Sequence, residues 1–431
     1  MAAVTQRINS YLGGVSKQSD DKMLPGQVRE CYNGFPDATY GLTKRPGFKH
    51  IVNLGTGTTY DDGKWFYIKR DDDEEYVGVI KGNAINIWNA VSGNACTVTY
   101  GTNAQTYLSG VKTDYKIITV QDTSIVINSS VTVTTQAAPT FTTGLVASIE
   151  VAYVTSNTTY TINITIGGST QTASYTSPSS GVDVDTILSS LESSINGMSG
   201  DHANITVTRL ANSLELTSPA SMEVDAEGGI DNKGLLSVQD EVASVGELPV
   251  RSVQNRVVKI VNTNSSADTY FAKFKAHNDV SGDGYWEETR DPSVSAGLND
   301  STLPHELVNT AVDTFIFREI SYEDRLVGDD ETNSHPSFKD EKITAGFFHN
   351  NRLGFLSKDN VIMSQSGDFY NFYFKSAQNT IDSDPVDISC SSIKPTALHA
   401  ALPTAQGVVL FSENQQFVMF ADAGVLTPAL A

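Results

Sequence analysis

The chain of 431 residues is poor in cysteine and in basic side chains, and both shortages narrow what it can be. Its three cysteines, Cys31, Cys96 and Cys390, are odd in number and far apart. A disulfide framework uses an even, closely spaced set, so we expect three reduced thiols in a protein made in a cytoplasm. The chain has 50 acidic and 29 basic residues, a net charge of −21. Binding to DNA phosphates or to an anionic membrane surface needs a basic face, so this balance argues against both.

Long apolar segments are also missing. Runs such as Gly407–Phe411 are far shorter than the roughly 20 residues that cross a bilayer. Residues 1–14 contain no apolar stretch of the kind that a signal peptide needs. We therefore expect neither a transmembrane span nor a secretory signal.

Helical periodicity is scarce, and short strands between turn residues dominate. One helix is predicted over Asp183–Met198, where Asp183 can cap the first turn, and a shorter one over Pro304–Val312. Elsewhere hairpins recur, one of them around a turn at Asp283-Gly284. The hairpin strands are predicted at Trp65–Arg70, Glu75–Ile80, Ala84–Trp88, Lys116–Val120, Ser124–Asn128, Thr269–Lys275, Tyr285–Thr289, Arg352–Leu356, Asn360–Ser364, Val408–Ser412 and Gln416–Phe420. This pattern predicts a mainly β, multi-domain fold with a meander or propeller-like architecture.

A shift in composition marks an insertion. Residues 133–236 are rich in Ser, Thr, Gly and Asn. Strands predicted at Ser148–Val154, Tyr160–Ile166, Asn204–Arg209 and Ser213–Thr217 surround the first helix, as in a small β-β-α-β-β domain. We therefore expect an N-terminal β-rich domain at 1–132, an inserted α+β domain at 133–249, and a β-rich domain at 250–431 that continues the first.

The sequence contains no specific catalytic or metal-binding motif. His305-Glu306 begins like the zinc pattern H-E-x-x-H, but Asn309 stands where the second histidine belongs, so Glu306 is better interpreted as a first-turn residue of the second helix. The segment starting at Asp279 begins like a calcium loop, yet its twelfth position is Arg290 instead of glutamate. We expect no catalytic residue, metal site or cofactor.

Carboxylates cluster in two short segments, residues 71–75 and 382–387. The first holds five in a row: Asp71, Asp72, Asp73, Glu74 and Glu75. A solvated turn explains such a run more simply than a cation site, because like charges in an exposed turn cost little in water. The run is also a candidate for an acidic contact with a partner.

Glycines and a basic pair near the N-terminus are more specific. Gly13, Gly14 and Ser16 lie in a segment whose glycines allow close backbone approach. Lys44 and Arg45, followed by Pro46, form an adjacent basic pair in a very acidic chain, suited to a carboxylate on a neighbour. An ordinary turn with surface charge is the alternative.

These segments resemble the N-terminal signature of the tail tubular protein B family, the tail nozzle proteins of short-tailed phages. Further blocks match in order and spacing from about residue 10 to residue 425, and the 350–357 block is the most specific. The matching blocks are Gly13–Gln18, Asn33-Gly34, Gly41–Pro46, Asn350–Ser357, Asp368–Tyr373, Asp382–Asp387 and Glu413–Phe417.

The resemblance implies a non-enzymatic structural protein of the virion tail, made in the host cytoplasm. It implies a homohexameric ring beneath an adaptor ring, which the 1–132 domain contacts, with tail fibres held nearby and phage DNA passing through the lumen without sequence-specific binding. On this basis Gly13, Gly14, Ser16, Lys44, Arg45 and Pro46 are candidates for subunit or adaptor contacts, and Asp71–Glu75 for an acidic lumen or fibre contact. Family members are longer, so the C-terminal part of the family pattern is expected to have no counterpart here. A receptor- or glycan-binding tail protein is the alternative function.

Overall fold

The computed structural model describes residues 5, 7–37, 39–55, 58–262, 269–390, 396–420 and 427–428. Within them the strands form eight sheets of two to five strands, and the buried side chains form five separate hydrophobic clusters. This confirms the mainly β class predicted from the sequence.

The chain begins with a lone hairpin and a three-stranded meander. The strands are β1 (Gly34–Asp37), β2 (Gly41–Lys44), β3 (Lys64–Lys69), β4 (Glu75–Lys81) and β5 (Ala84–Asn89). Within the described ranges, strands β1 and β2 pair only with each other, whereas β3, β4 and β5 form the predicted antiparallel meander. Gly78 is required inside β4, because a Cβ there would lie 2.2 Å from the Phe66 ring.

The next sheet combines strands that are far apart in sequence. It contains β6 (Thr97–Tyr100), β7 (Tyr115–Val120) and β8 (Thr123–Asn128) together with two strands from beyond residue 300. The chain therefore leaves this sheet after β8 and returns to it later.

After β8, residues 146–238 form a compact α+β unit. Its elements are β9 (Val146–Val151), β10 (Thr159–Ile166), β11 (Ser169–Thr176), α1 (Val184–Asn196), β12 (Thr206–Leu210), β13 (Ser213–Thr217), β14 (Met222–Glu227) and β15 (Leu235–Val238). The sheets β11-β10-β14 and β12-β13-β9-β15 share one hydrophobic cluster with α1, through Ile187, Leu188, Leu191 and Ile195. The Asp183 side chain accepts the Thr186 amide, so the predicted cap and helix are confirmed. The predicted domain boundaries stay a prediction.

Strands β16 (Glu241–Val242), β17 (Arg251–Val253), β18 (Val257–Ile260), β19 (Tyr270–Ala276) and β20 (Ser281–Thr289) form the next sheet. The predicted hairpin is present as β19 and β20, but its turn lies at residues 277–280. Asp283 and Gly284 are inside β20, so the turn predicted there is wrong. Gly284 serves a close approach instead, because a Cβ would lie 2.1 Å from the Lys275 carbonyl oxygen.

The second predicted helix is wrong as well. Residues 305–311 form β21 (His305–Ala311), which pairs with β8 and with β22 (Thr314–Arg318). Pro304 precedes this strand just as it would precede a helix, and the long-range pairing decides between the two. Glu306 is consequently not a first-turn helix residue; it accepts a hydrogen bond from Arg318 Nε at 2.6 Å.

Two sheets complete the described part of the chain. The first contains β23 (Ala345–His349), β24 (Arg352–Ser357), β25 (Asn360–Met363) and β26 (Val386–Ser389), and the second β27 (Leu398–Thr404), β28 (Gly407–Ser412) and β29 (Gln416–Met419). They share a hydrophobic cluster that includes Phe347, Leu356, Leu398 and Leu410. The hairpins predicted at 352–364 and 408–420 are confirmed.

Candidate assembly surface

The segment 7–55, called the N-terminal arm below, contributes no side chain to any hydrophobic cluster among the described residues. The described residues include 31 exposed large hydrophobic side chains, and twelve of these lie in the arm. Three are almost fully exposed, Tyr32 at 83%, Tyr40 at 80% and Phe48 at 87%. A two-stranded hairpin such as β1–β2 is only marginally stable by itself in water. The arm therefore has the character of a segment that packs against a partner.

The glycine segment at the start of the arm folds onto residues 26–28. Gly13 N donates to Gly26 O at 3.0 Å, and Val28 N donates to Gly14 O at 2.9 Å. Gly14 has φ 71°, and a Cβ on Gly13 would lie 2.7 Å from Gln27 Cγ. The glycines thus have a local structural role, and Ser16 is buried beside them at 7% exposure. Their predicted contact with a partner stays a prediction.

The basic pair lies at the end of the β1–β2 hairpin. Lys44 is the last residue of β2, and Arg45 N donates to Asn33 O at 2.8 Å. The Arg45 guanidinium lies over the Phe48 ring, 4.4 Å from its centroid. Such a cation–π contact is worth about 0.5–1 kcal/mol at an exposed site. Arg45, Pro46 and Phe48 therefore form one exposed projection of the arm.

Side chains next to the acidic turn at residues 71–75 bind several of its carboxylates. Arg70 Nη1 donates to both oxygens of Glu74 at 2.9 and 3.0 Å, and the Tyr67 hydroxyl donates to Glu75 at 2.6 Å. The amides of Glu74 and Asp73 lower the pKa of Asp71, and the Tyr67 hydroxyl, followed by Lys69, lowers the pKa of Glu75.

What the turn offers to a partner is its tip. Asp72 is 98% exposed with Lys69 at 3.2 Å, and Asp73 is exposed beside it. The lumen or fibre contact predicted for the five acids stays a prediction, and these two are the carboxylates available for it.

The blocks at 350–357 and 382–387 meet in the structure. Arg352 is 2% exposed and donates to the carbonyl oxygens of Ser364 (2.7 Å), Asp382 (2.8 Å) and Asp384 (2.7 Å). Burial lowers the pKa of Arg352, and the neighbouring Asp384 carboxylate opposes that shift. Arg352 thus ties β24 to the main chain of the acidic loop. Its place directly before the apolar run Leu353–Leu356 is the sequence feature that could have indicated this role.

A second buried arginine joins the α+β unit to the strands that follow it. Arg256 Nη1 lies 3.0 Å from Glu215 Oε1, and their side chains are 2% and 0% exposed. Ser252 donates to the same oxygen at 2.6 Å, and Arg256 Nη2 donates to the carbonyls of Val238 and Gln239. Sequence reasoning missed this pair, because neither residue stands in a recognisable motif.

The histidine of the incomplete zinc pattern is part of the packing. His305 stacks on Tyr107 with ring centroids 4.1 Å apart, and its Nδ1 donates to Leu303 O at 2.8 Å. Burial lowers the pKa of His305 to about 4, so the ring is neutral near pH 7. Among the described residues no three His, Cys, Asp or Glu side chains gather as ligands for a metal ion.

No helix in the described ranges has the length and apolar character needed to traverse a bilayer. The one α-helix found there, α1, has 13 residues and packs inside the α+β unit.

Comparison with known proteins agrees with the resemblance seen in the motifs. The chain is 28% identical over 451 residues to the tail tubular protein gp12 of Escherichia phage T7, an alignment that covers 99% of this chain and 54% of that protein. It therefore spans about half the length of this curated relative. The model of a family described as bacteriophage nozzle protein matches residues 1–431, from the arm to the last strands. The chain belongs to the bacteriophage nozzle protein family.

Proposed function

We propose that this chain is a structural subunit of a phage tail nozzle, a virion protein whose copies close into a ring around the channel for DNA. The ring is a homohexamer that stacks beneath an adaptor ring and holds tail fibres at its side. The observation that carries this proposal is the N-terminal arm, which exposes apolar side chains without joining any core of the described chain. Membership of the nozzle family supplies the kind of assembly in which such an arm has partners.

Ring closure needs contacts between two different surfaces of the same subunit. Heterologous contacts of this kind close a ring when the rotation between neighbours divides a full turn. The projection formed by Arg45, Pro46 and Phe48 supplies one such surface. Gly13, Gly14, Ser16 and Lys44 belong to the same arm and support or extend this surface.

The negative net charge of the chain is suited to the wall of a channel through which DNA must pass without binding. The arm contains seven Lys or Arg and four Asp or Glu, a net charge of +3, so the total of −21 leaves −24 on residues 56–431. An acidic wall repels phosphates and keeps DNA from adhering as it passes. The exposed Asp72 and Asp73 contribute to such a wall or to a fibre contact. No chemical step is part of this function, so we propose that the subunit is not an enzyme and needs no cofactor.

Electron microscopy of the full chain tests the proposal, first alone and then with the adaptor protein of the same phage. Six-fold rings with a central channel that stack on the adaptor are expected. Particles that remain monomeric or trimeric with the adaptor present would contradict the nozzle assignment. A glycan array and a reducing-sugar assay, run on the same preparation, would then show whether it binds or cleaves polysaccharide instead.

A charge reversal tests the residues of the arm. Arg45→Glu should leave the chain folded and block tail assembly, because it replaces the cation of the projection. Lys233→Glu is the matched control, an exposed basic residue in the α+β unit. Normal virion yield from Arg45→Glu, measured by complementation of a phage that lacks the gene, would refute the role of Arg45.

A further inference from the structure

A cleft beyond the α+β unit matches the arm in chemistry. It has a volume of about 330 Å³, within the range of ligand-binding pockets. Four carboxylates and two lysines line it, together with apolar side chains; the residues that matter here are Glu287, Glu288, Glu323, Asp324, Leu326 and Phe374. The cleft is therefore both acidic and apolar.

Its free charge is concentrated in two adjacent residues. Glu287 is already paired with Lys273 and Lys275, at 3.4 and 3.6 Å. Among the described residues, neither Glu323 nor Asp324 takes part in an ion pair. Burial, and then the charge of Asp368, raise the pKa of Glu323, and Lys375 offsets only part of that shift.

Leu326 presents an apolar surface at the same place. It is 66% exposed, although the residue before it, Arg325, is 1% exposed. Arg325 donates to Asp330 Oδ1 at 2.8 Å and to the carbonyls of Asn333 (3.0 Å) and Ser295 (2.8 Å). These bonds fix the backbone that holds Leu326 outward, so the apolar side of the cleft is formed in advance of binding.

The arm supplies the complementary group. Arg45 and Phe48 present a cation stacked on an aromatic ring that is 87% exposed. No carboxylate of the described chain lies within ion-pair distance of Arg45. Arginine and aromatic side chains are both enriched at protein interfaces.

We propose that the arm of one copy crosses to a second copy and places Arg45 and Phe48 in this cleft, with the guanidinium on Glu323 and Asp324 and the ring on Leu326. The inference rests on the ring assembly proposed above and names its two surfaces. It also explains how the copies associate although residues 56–431 of each carry a net charge of −24, because each copy receives an arm whose net charge is +3.

Engineered cysteines test the contact directly. The double variant Phe48→Cys/Leu326→Cys, assembled as the full chain and oxidised, should give a ladder of covalent oligomers on a non-reducing denaturing gel. Each single variant retains Cys31, Cys96 and Cys390 and serves as the control for disulfides with native thiols. A mixture of the two single variants should give a covalent dimer and nothing longer, since each chain then carries half of the contact.

Three results would overturn the inference. They are a ladder in either single variant, a disulfide that forms within one chain, and rings of the double variant that stay uncrosslinked under oxidation. Because the last result keeps the ring, it would leave the proposed function intact. Absence of rings from the wild-type chain with its adaptor would contradict both proposals.

A charge swap tests the pairing of Arg45 with Glu323 independently. Arg45→Glu and Glu323→Arg should each weaken self-association by about tenfold or more, and the two together should restore it. Glu323→Arg replaces a like-charge contact with Asp368 by one with Lys375, so circular dichroism of this single variant is measured to show that it folds. Failure of the double variant to recover association, when both single variants lose it and remain folded, would refute the pairing.

Discussion

Replacing Glu215 by glutamine is expected to destabilise the α+β unit and its junction with β17 and β18. Glutamine keeps the shape of the side chain, but it leaves the Arg256 guanidinium buried without a counter-charge. Burial already lowers the pKa of Arg256, and Glu215 is the main group that opposes this shift. Removing one partner of a buried ion pair costs about 3–5 kcal/mol.

The lower end of that range is expected for Glu215→Gln. Arg256 Nη2 retains its bonds to the carbonyls of Val238 (2.6 Å) and Gln239 (3.0 Å), and the amide of glutamine can still accept from Ser252. We therefore expect a loss of about 3 kcal/mol in the free energy of unfolding. Urea unfolding measures this loss, and hydrogen exchange of the β9 and β13 amides locates it.

Two controls separate the buried charge from other effects. Lys358→Met removes an exposed pair with Glu341, where the lysine side chain is 64% exposed, and should leave unfolding unchanged. The double variant Glu215→Met/Arg256→Met has no buried charge, so the stability that it loses reports the carbonyls of Val238 and Gln239 left without a donor. A loss of less than about 1 kcal/mol in Glu215→Gln would refute the reasoning.

Three further substitutions test the packing of individual buried residues. Gly354→Ala should lower the free energy of unfolding by about 1–3 kcal/mol, because the new Cβ would lie 2.4 Å from the Phe347 ring; an unchanged melting temperature would contradict this. Arg352→Met should cost about 1–3 kcal/mol for each carbonyl left without a donor and raise hydrogen exchange in the 382–387 loop, whereas unaltered exchange would count against the role of Arg352. Burial lowers the pKa of His305 to about 4, so its contribution to stability is present above pH 6.5 and is lost as the pH falls towards 4. His305→Phe keeps the stack on Tyr107 and should flatten that part of the pH profile of urea unfolding; a profile as steep as that of the wild type would show that His305 does not cause it.

The sequence predicts those parts of the fold that depend on local signals. Hairpins such as β3–β4 and β24–β25 combine apolar runs with turn residues, and α1 combines helical spacing with the Asp183 cap. β11 was missed because it is made mostly of Ser and Thr and has one buried residue, Ala173. β21 was predicted as a helix because its partners, β8 and β22, include a strand about 180 residues earlier in the chain, and a local pattern contains no information about that pairing.

In the candidate surface, too, the sequence predicts what depends on local signals and misses what depends on distant residues. Glycine and charge single out Gly13, Gly14, Lys44 and Arg45, since backbone freedom and an unusual basic pair are visible in the sequence. The exposure of Phe48 is not visible there, because a phenylalanine beside a proline is as consistent with a core as with a surface. The acidic cleft could not be predicted either, since its lining comes from β19 and β20, from residues 323–327 and from residues 371–375.

The distribution of basic side chains links the stability of the chain to its assembly. Three arginines, Arg256, Arg325 and Arg352, are buried, and each donates to main-chain carbonyls at the ends of strands or in the loops that follow them. A guanidinium has five donors in one plane, so a single residue can satisfy several carbonyls that no neighbouring strand reaches. Burial takes three carboxylates, Glu215, Glu306 and Asp384, out of the surface as well, so the exterior of residues 56–431 stays about as acidic as its composition. Two such acidic surfaces repel each other, so association of copies needs a segment of opposite charge, and the arm with its +3 supplies one.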